Sequence, residues 1–276
     1  MESQRATIIH RVAIKLINLD RSPDRLDMAS AQLDAARFPF ERVAAVDGAA
    51  LVGRTPENYL PAQAVAAMGR ELNRGEIGCY LSHLECLEGF LDGDAPFLMV
   101  LEDDFRFTEG GSGLILDLVS FLSGNGWDKR QLVVNLGRGH KKIFSRVAGF
   151  SPSSGAARLR YSHYFPNHTT GLVWNRRTAR LFLDECRTIR RPIDVQLQCW
   201  QARRGGGLAF DRPPVETAGF PSEIDRMPGG GSRDTRHENR LEYRKNRRRH
   251  AWLYLRALNL LWRHRTGKED PGPSTA

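Results

Sequence analysis

Residues 97–104 read Phe-Leu-Met-Val-Leu-Glu-Asp-Asp, an apolar run of strand length that stops in three carboxylates. An unbroken apolar run marks a strand buried on both faces, as in sheets covered by helices on each side. Such sheets gather ligands at the carboxyl ends of their strands, and Glu102, Asp103 and Asp104 fall there. Adjacent carboxylates repel one another unless a cation neutralises them. Oxygen donors favour a hard divalent ion, Mn²⁺ or Mg²⁺, which often bridges carboxylates to substrate phosphates. The plain alternative is a solvated junction between strand and loop.

The rest of the chain alternates in the same way. Val12 to Leu19 reads as a first strand, and Ser22-Pro23 as an N-cap with proline at the first helical position. A helix to about Arg37 and a strand over Phe40 to Val46 complete a β-α-β unit that ends at the Asp47-Gly48 turn. Val52 to Arg70, broken by Pro56 and Pro61, has no clear assignment. Glu76 to Leu91 carries Ile77, Leu81, Leu84, Leu87 and Leu91 at helical spacing. Helices are expected over Leu114 to Leu122, Arg176 to Arg187 and Val195 to Arg203, and strands over Gln131 to Leu136 and Thr170 to Trp174. Gly137 to Pro166 reads as loops around a hairpin, and Leu208 to Phe210 as an edge strand. Strands alternating with helices predict an α/β fold with a mostly parallel sheet.

That pattern divides the chain into one domain over 1–225, a flexible linker over 226–240 within an aperiodic stretch from Pro213, a basic amphipathic helix over 241–265, and a disordered tail over 266–276. The net charge is +9, yet Arg233 to Arg265 holds eleven Arg/Lys residues against three acids. The body is therefore almost neutral, and its pI is no argument for binding nucleic acid. The four cysteines, Cys79, Cys86, Cys186 and Cys199, show no zinc spacing. Together with the lack of a signal-peptide pattern, they predict a reduced, cytoplasmic protein.

Five blocks in order carry a resemblance. They are Ile17-Asn18-Leu19-Asp20-Arg21 with Asp24, Arg25 and Met28; Ala45-Val46-Asp47-Gly48; Gly75 to His83; Val100 to Asp104; and Thr170-Gly171 with Ala179, Pro192 and Asp194, extended by Pro221 to Ile224. Together they resemble glycosyltransferase family 25, the bacterial lipopolysaccharide glycosyltransferases related to collagen galactosyltransferases. The resemblance implies a GT-A-like, Rossmann-like fold, a UDP-sugar donor with galactose expected, Mn²⁺ (or Mg²⁺), and inversion at the anomeric carbon. Leu172 stands where the family often has an aromatic, and Cys86 and Leu87 occupy a region where another is common. Those departures bear on the sugar or acceptor more than on the reaction.

Alternation along an extended chain would send Glu102 and Asp104 the same way as inner metal ligands. Asp103 would then turn to ribose hydroxyls or to a supporting hydrogen bond. Asn18, Arg21 and Arg25 lie where a helix start can meet phosphate or ribose, although Arg25 also has Asp24 and Asp27 for surface partners. Asp47 would accept from uracil or ribose, or simply serve the turn before Gly48. Gly75 and Gly78 would permit close backbone approach, with Glu76 in the first helical turn. Ser82 and His83 follow one turn later as donor-site residues, and Cys79 reads as packing. An inverting transfer needs a base. Asp194 is the leading candidate and its plain reading is an N-cap; His163, His168 and Glu223 are lesser candidates, and His168 is also an optional metal ligand.

In the basic helix, Trp252, Leu255, Leu258 and Trp262 fall at helical spacing after the Arg244 to Arg249 cluster. That pattern fits an anionic membrane surface or, alternatively, a helix packed on the body. The chain is thus expected to be a peripheral enzyme at the inner face of the cytoplasmic membrane, extending a lipid-linked or lipopolysaccharide glycan. The rivals are a nucleotidyltransferase using the same carboxylate–metal site, a nucleic-acid-binding protein acting through the Arg-rich tail, and an inactive relative.

Overall fold

Strand β1 (Val12–Asn18) lies between β2 (Glu41–Ala44) and β3 (Phe97–Glu102), parallel to both. In β3, Phe97, Met99 and Leu101 pack into one apolar cluster and Leu98 and Val100 into another. Period-two alternation explains the split: a strand buried on both sides needs apolar residues at every position. The computed structural model describes residues 8–124, 126–138, 143–153, 157–219 and 240–267. The linker expected over 226–240 falls almost wholly outside them, as does the tail from residue 268.

Helix α1 (Pro23–Ala35) follows β1, with Ser22 at the cap position and Pro23 opening the helix. Beyond β2 come a 3₁₀ turn over Gly48–Leu51, α2 (Pro61–Met68) and α3 (Arg74–Asp92). Proline at its first position and Gly69 at φ 87° explain the bounds of α2, in the stretch the sequence left unassigned. Asn73 and Glu76 form a reciprocal capping box that starts α3 two residues earlier than its periodicity implied.

After β3 the chain forms β4 (Phe105–Phe107), α4 (Gly111–Gly124), β5 (Val133–Asn135), the β6 (Phe144–Arg146) and β7 (Leu159–Ser162) hairpin, and β8 (Gly171–Asn175). Then come α5 (Arg176–Cys186), α6 (Ile193–Arg204), β9 (Gly207–Phe210), β10 (Val215–Thr217) and α7 (Arg240–Arg265). The large sheet has the order β2-β1-β3-β8-β5-β9-β7-β6. Within it only β7 and β8 run against the common direction, so the sheet is mostly parallel in strand direction. Helices α1 and α4 cover one face; α3, α5 and α6 cover the other.

Three expectations are corrected. Leu208 to Phe210 is not an edge strand, because β9 is hydrogen-bonded on both sides, to β5 and β7. The aperiodic stretch from Pro213 begins with a real strand, since β10 pairs antiparallel with β4. Asp194 is not the cap of α6: Pro192 holds that position, and Asp194 sits in the first turn.

The basic helix is built into the body. Leu253, Ala257 and Leu260 are buried, Lys245 donates to the Ala66 carbonyl at 2.7 Å, and Arg256 donates to that of Ala202 at 3.2 Å. Arg70 joins two helices by pairing with Glu76 of α3 at 2.6 Å and Glu242 of α7 at 3.1 Å. A Cβ on Gly69 would lie 2.7 Å from the Glu242 Cα, so α7 passes very close to the end of α2. The single face expected for Trp252, Leu255, Leu258 and Trp262 is divided: Trp252 packs partly on the core, and the other three are exposed.

Candidate active site

The parallel register sets Ile17 opposite Glu102, so the carboxyl ends of β1 and β3 finish side by side. Strand β8 runs the other way, which brings its start to the same edge, where the Glu102 N–H donates to the Thr170 carbonyl at 3.1 Å. The strand proper ends at Glu102, and Asp103 and Asp104 turn away from it. Each of the three acids therefore has its own surroundings.

Glu102 faces α3. His83 Nε2 lies 3.0 Å from its Oε1, and Cys79 donates to the same oxygen at 3.9 Å. Cys79 and His83 are one turn apart, which aims both at the strand end. Burial pushes the Glu102 carboxyl up, but hydrogen bonds from His83 and Thr169 outweigh it and hold the group below its ordinary value. An ionised Glu102 only accepts, so His83 carries its proton on Nε2.

Asp103 faces β1 and α1. It accepts from Asn18 Nδ2 at 2.7 Å and pairs with Arg25 at 3.3 Å. Burial raises its carboxyl, and Asn18 and Arg25 only partly oppose that. Asp103 thus accepts a supporting hydrogen bond, one of its two expected roles, and Arg25 pairs with it. Arg42 extends this chain by donating to Asn18 Oδ1 at 3.1 Å and pairing with Asp20.

Asp104 has less support: its Oδ1 is buried and has no hydrogen-bond partner, and only the Arg25 charge and its own backbone N–H favour the ionised form. Burial, then repulsion from Glu102 and Asp103, pushes its carboxyl up to about 7. An orphaned carboxylate oxygen beside an ionised Glu102 is the electrostatic demand a divalent cation meets. Glu102 and Asp104 offer hard oxygen donors of the kind such an ion takes. Cys79, His83 and Glu102 hold their ligand atoms within 4.8 Å of one another, although Asp104 stands outside that group.

Asp194 belongs to this neighbourhood. Burial pushes its carboxyl up to about 6; the Val195 N–H, donating at 2.7 Å, opposes this, and the charges of Glu102 and Glu76 add to it. Of the other candidates, Glu76 is fully engaged by Arg70 and by the Asn73 N–H. Asp47 caps the 3₁₀ turn through the Ala49 N–H at 2.8 Å and pairs with Arg21. Burial raises its carboxyl, but Arg21 and Ala49 outweigh this and hold it low. Ser82 accepts from the Val46 N–H at 2.8 Å and donates to the Gly78 carbonyl at 2.9 Å. The close approach expected at Gly78 is made by the chain itself, since a Cβ there would collide with the Val46 carbonyl. A Cβ on Gly48 would meet Arg74 at 2.6 Å, so the second and third blocks lock β2 onto the start of α3.

Sequence reasoning missed Arg42, Thr169 and the position of Cys79 against Glu102. Only the place of Thr169 just before β8 offered a signal. His168 also lies near Glu102 and helps to lower its carboxyl, with its Nδ1 3.4 Å from Thr170 Oγ1. His163 lies elsewhere, 2.9 Å from Ser145 on the hairpin, with its ring 5.7 Å from that of His264 of α7 and tilted against it. Glu223 falls outside the described residues.

In open α/β sheets ligands bind at the carboxyl ends of the strands, which is where these acids lie. The model of glycosyltransferase family 25 (LPS biosynthesis protein) matches residues 12–197, and the chain belongs to that family. Procollagen galactosyltransferase 2 of Mus musculus is 31% identical over 137 residues, covering 47% of this chain and 21% of the relative. Its Homo sapiens counterpart is 37% identical over 98 residues, 34% of this chain and 16% of the relative. The inactive glycosyltransferase 25 family member 3 of Homo sapiens is 31% identical over 142 residues, 49% of this chain and 23% of the relative. This chain therefore spans about a fifth of the length of such relatives.

Proposed function

We propose that this chain is an inverting glycosyltransferase that moves galactose from UDP-galactose to a hydroxyl of a lipopolysaccharide or related surface glycan. The observation that carries the chemistry is the buried Asp104 Oδ1, which has no hydrogen-bond partner, on a carboxyl pushed up by burial and by Glu102. The names of the galactosyltransferase relatives support the donor sugar, and the description of the family supports the acceptor. Glu102 and Asp104 would hold Mn²⁺ or Mg²⁺, which supplies charge neutralisation for the departing diphosphate. Asn18, Arg25 and Asp103 stiffen the floor of the donor site as one hydrogen-bonded unit. Asp194 takes the proton of the acceptor hydroxyl as that oxygen bonds to the anomeric carbon and the bond from that carbon to UDP breaks. A carboxyl raised to about 6 suits a base working near neutral pH.

The test is release of UDP from a panel of UDP-sugars by the whole protein, with an oligosaccharide acceptor and Mn²⁺, then with EDTA. UDP release from UDP-galactose that disappears with EDTA and in Asp104→Ala supports the reading. Full Mn²⁺-dependent turnover by Asp104→Ala would remove the ligand assignment. Release of pyrophosphate in place of UDP would make the protein a nucleotidyltransferase. Nucleotide binding without turnover under any condition would place it beside the inactive family member.

A further inference from the structure

Helix α7 has two apolar stripes, one buried and one exposed. Leu253, Ala257 and Leu260 are buried. On the outer side Tyr254 is 46% exposed, Leu255 66%, Leu258 41% and Trp262 52%. Arg244, Arg247, Arg248 and Arg265 lie exposed on that side as well. At 100° per residue, Arg244, Arg248, Leu255, Leu258 and Trp262 fall within one half-turn. Among residues 240–265 the single acid is Glu242, and it pairs with Arg70. The outer face therefore presents cations and large apolar groups together, with no carboxylate among them.

We propose that this outer face docks on the surface of an anionic phospholipid bilayer, with the arginines on headgroup phosphates and Leu255, Leu258 and Trp262 at the boundary of the acyl chains. The charge pattern selects this occupant. A second copy would set one acid-free, arginine-bearing face against another. A nucleic acid would meet the arginines but leave the leucines facing polar backbone. A bilayer interface satisfies both kinds of group at once, as amphipathic helices lying in the interfacial plane do. No helix among the described residues is long and apolar enough to cross a membrane, so the attachment is to one surface.

The experiment is co-sedimentation of the whole protein with vesicles of phosphatidylcholine alone and of phosphatidylcholine mixed with phosphatidylglycerol, at low and high salt. Binding should appear with the anionic vesicles and weaken with salt. The triple variant Arg244→Gln, Arg247→Gln, Arg248→Gln should lose about a hundredfold in affinity, at roughly fivefold for each charge removed. Leu255→Ser with Leu258→Ser should also weaken binding while leaving the thermal midpoint and UDP binding unchanged, because neither side chain enters the core. Equal binding to neutral vesicles, or no binding to either, overturns the proposal. So does a dimer seen by light scattering that both variants abolish, or tighter binding to duplex DNA or RNA than to anionic vesicles at the same salt. UDP binding is measured separately, so failure here is distinguishable from failure of the transferase reading.

Discussion

Replacing Asp104 by Asn should stabilise the metal-free protein at pH 8 while removing its metal-dependent activity. Burial, then Glu102 and Asp103, moves this carboxyl from 3.8 to about 7. A group raised in this way binds its proton more tightly folded than unfolded. Its contribution to stability is fully present below 3.8 and is lost as pH rises through about 7. At pH 8 the folded state carries an ionised carboxylate that burial and its neighbours disfavour. At about 1.4 kcal/mol per pH unit the whole displacement has a ceiling of roughly 4 kcal/mol. Water reaching the partly exposed carboxyl brings that down to about 1–2 kcal/mol. Asn keeps the shape and carries no charge. The variant should therefore melt about 2–6 °C higher at pH 8. At pH 5 Asp104 is already neutral in the folded protein, and most of the gain should vanish. Melts followed by circular dichroism in EDTA at the two pH values decide the matter. A variant that melts lower at pH 8, or gains as much at pH 5, refutes the electrostatic reasoning.

Other expectations follow from the same geometry. Mn²⁺ should bind more tightly as pH rises from 6 to 8, because Asp104 must lose its proton at about 7 before it can ligate; calorimetric titration across that range reads the slope. His83→Ala should weaken Mn²⁺ binding at neutral pH by about tenfold, the usual cost of losing a partner that orients a ligand, and His83→Gln should restore part of it. Gly78→Ala should lose about 1–2 kcal/mol, since a Cβ there collides with the Val46 carbonyl and outweighs the gain in helix propensity. Gly113→Ala should instead gain about 0.5–1 kcal/mol, because nothing lies within 4 Å of its added methyl. Urea melts of the two glycine variants should therefore shift in opposite directions.

Long elements were legible in the sequence because burial on both faces writes a continuous apolar run, as in β1 and β3. Strands β4 and β10, three residues each, are too short to show any period. Within the site, the acids at the end of β3 were plain from their place after that run. Their partners were not. Asp103 finds Asn18 and Arg25 only because β1 and β3 run parallel in register, and Glu102 finds His83 only because α3 lies across the strand end. The two stripes of α7 look alike in sequence. Which one turned inward was settled by packing against α2 and α6, groups far away along the chain.

The contact between Gly69 and Glu242 carries a consequence for synthesis. The seat of α7 is built from segments near residues 66–70 and 202, all translated well before the helix that fills it. A nascent chain holds that seat open until the last of these segments is matched, leaving apolar groups such as Met68 to water or a chaperone. Clipping the chain before Arg240 would then make a body that never closes, prone to aggregation, instead of a soluble catalytic core.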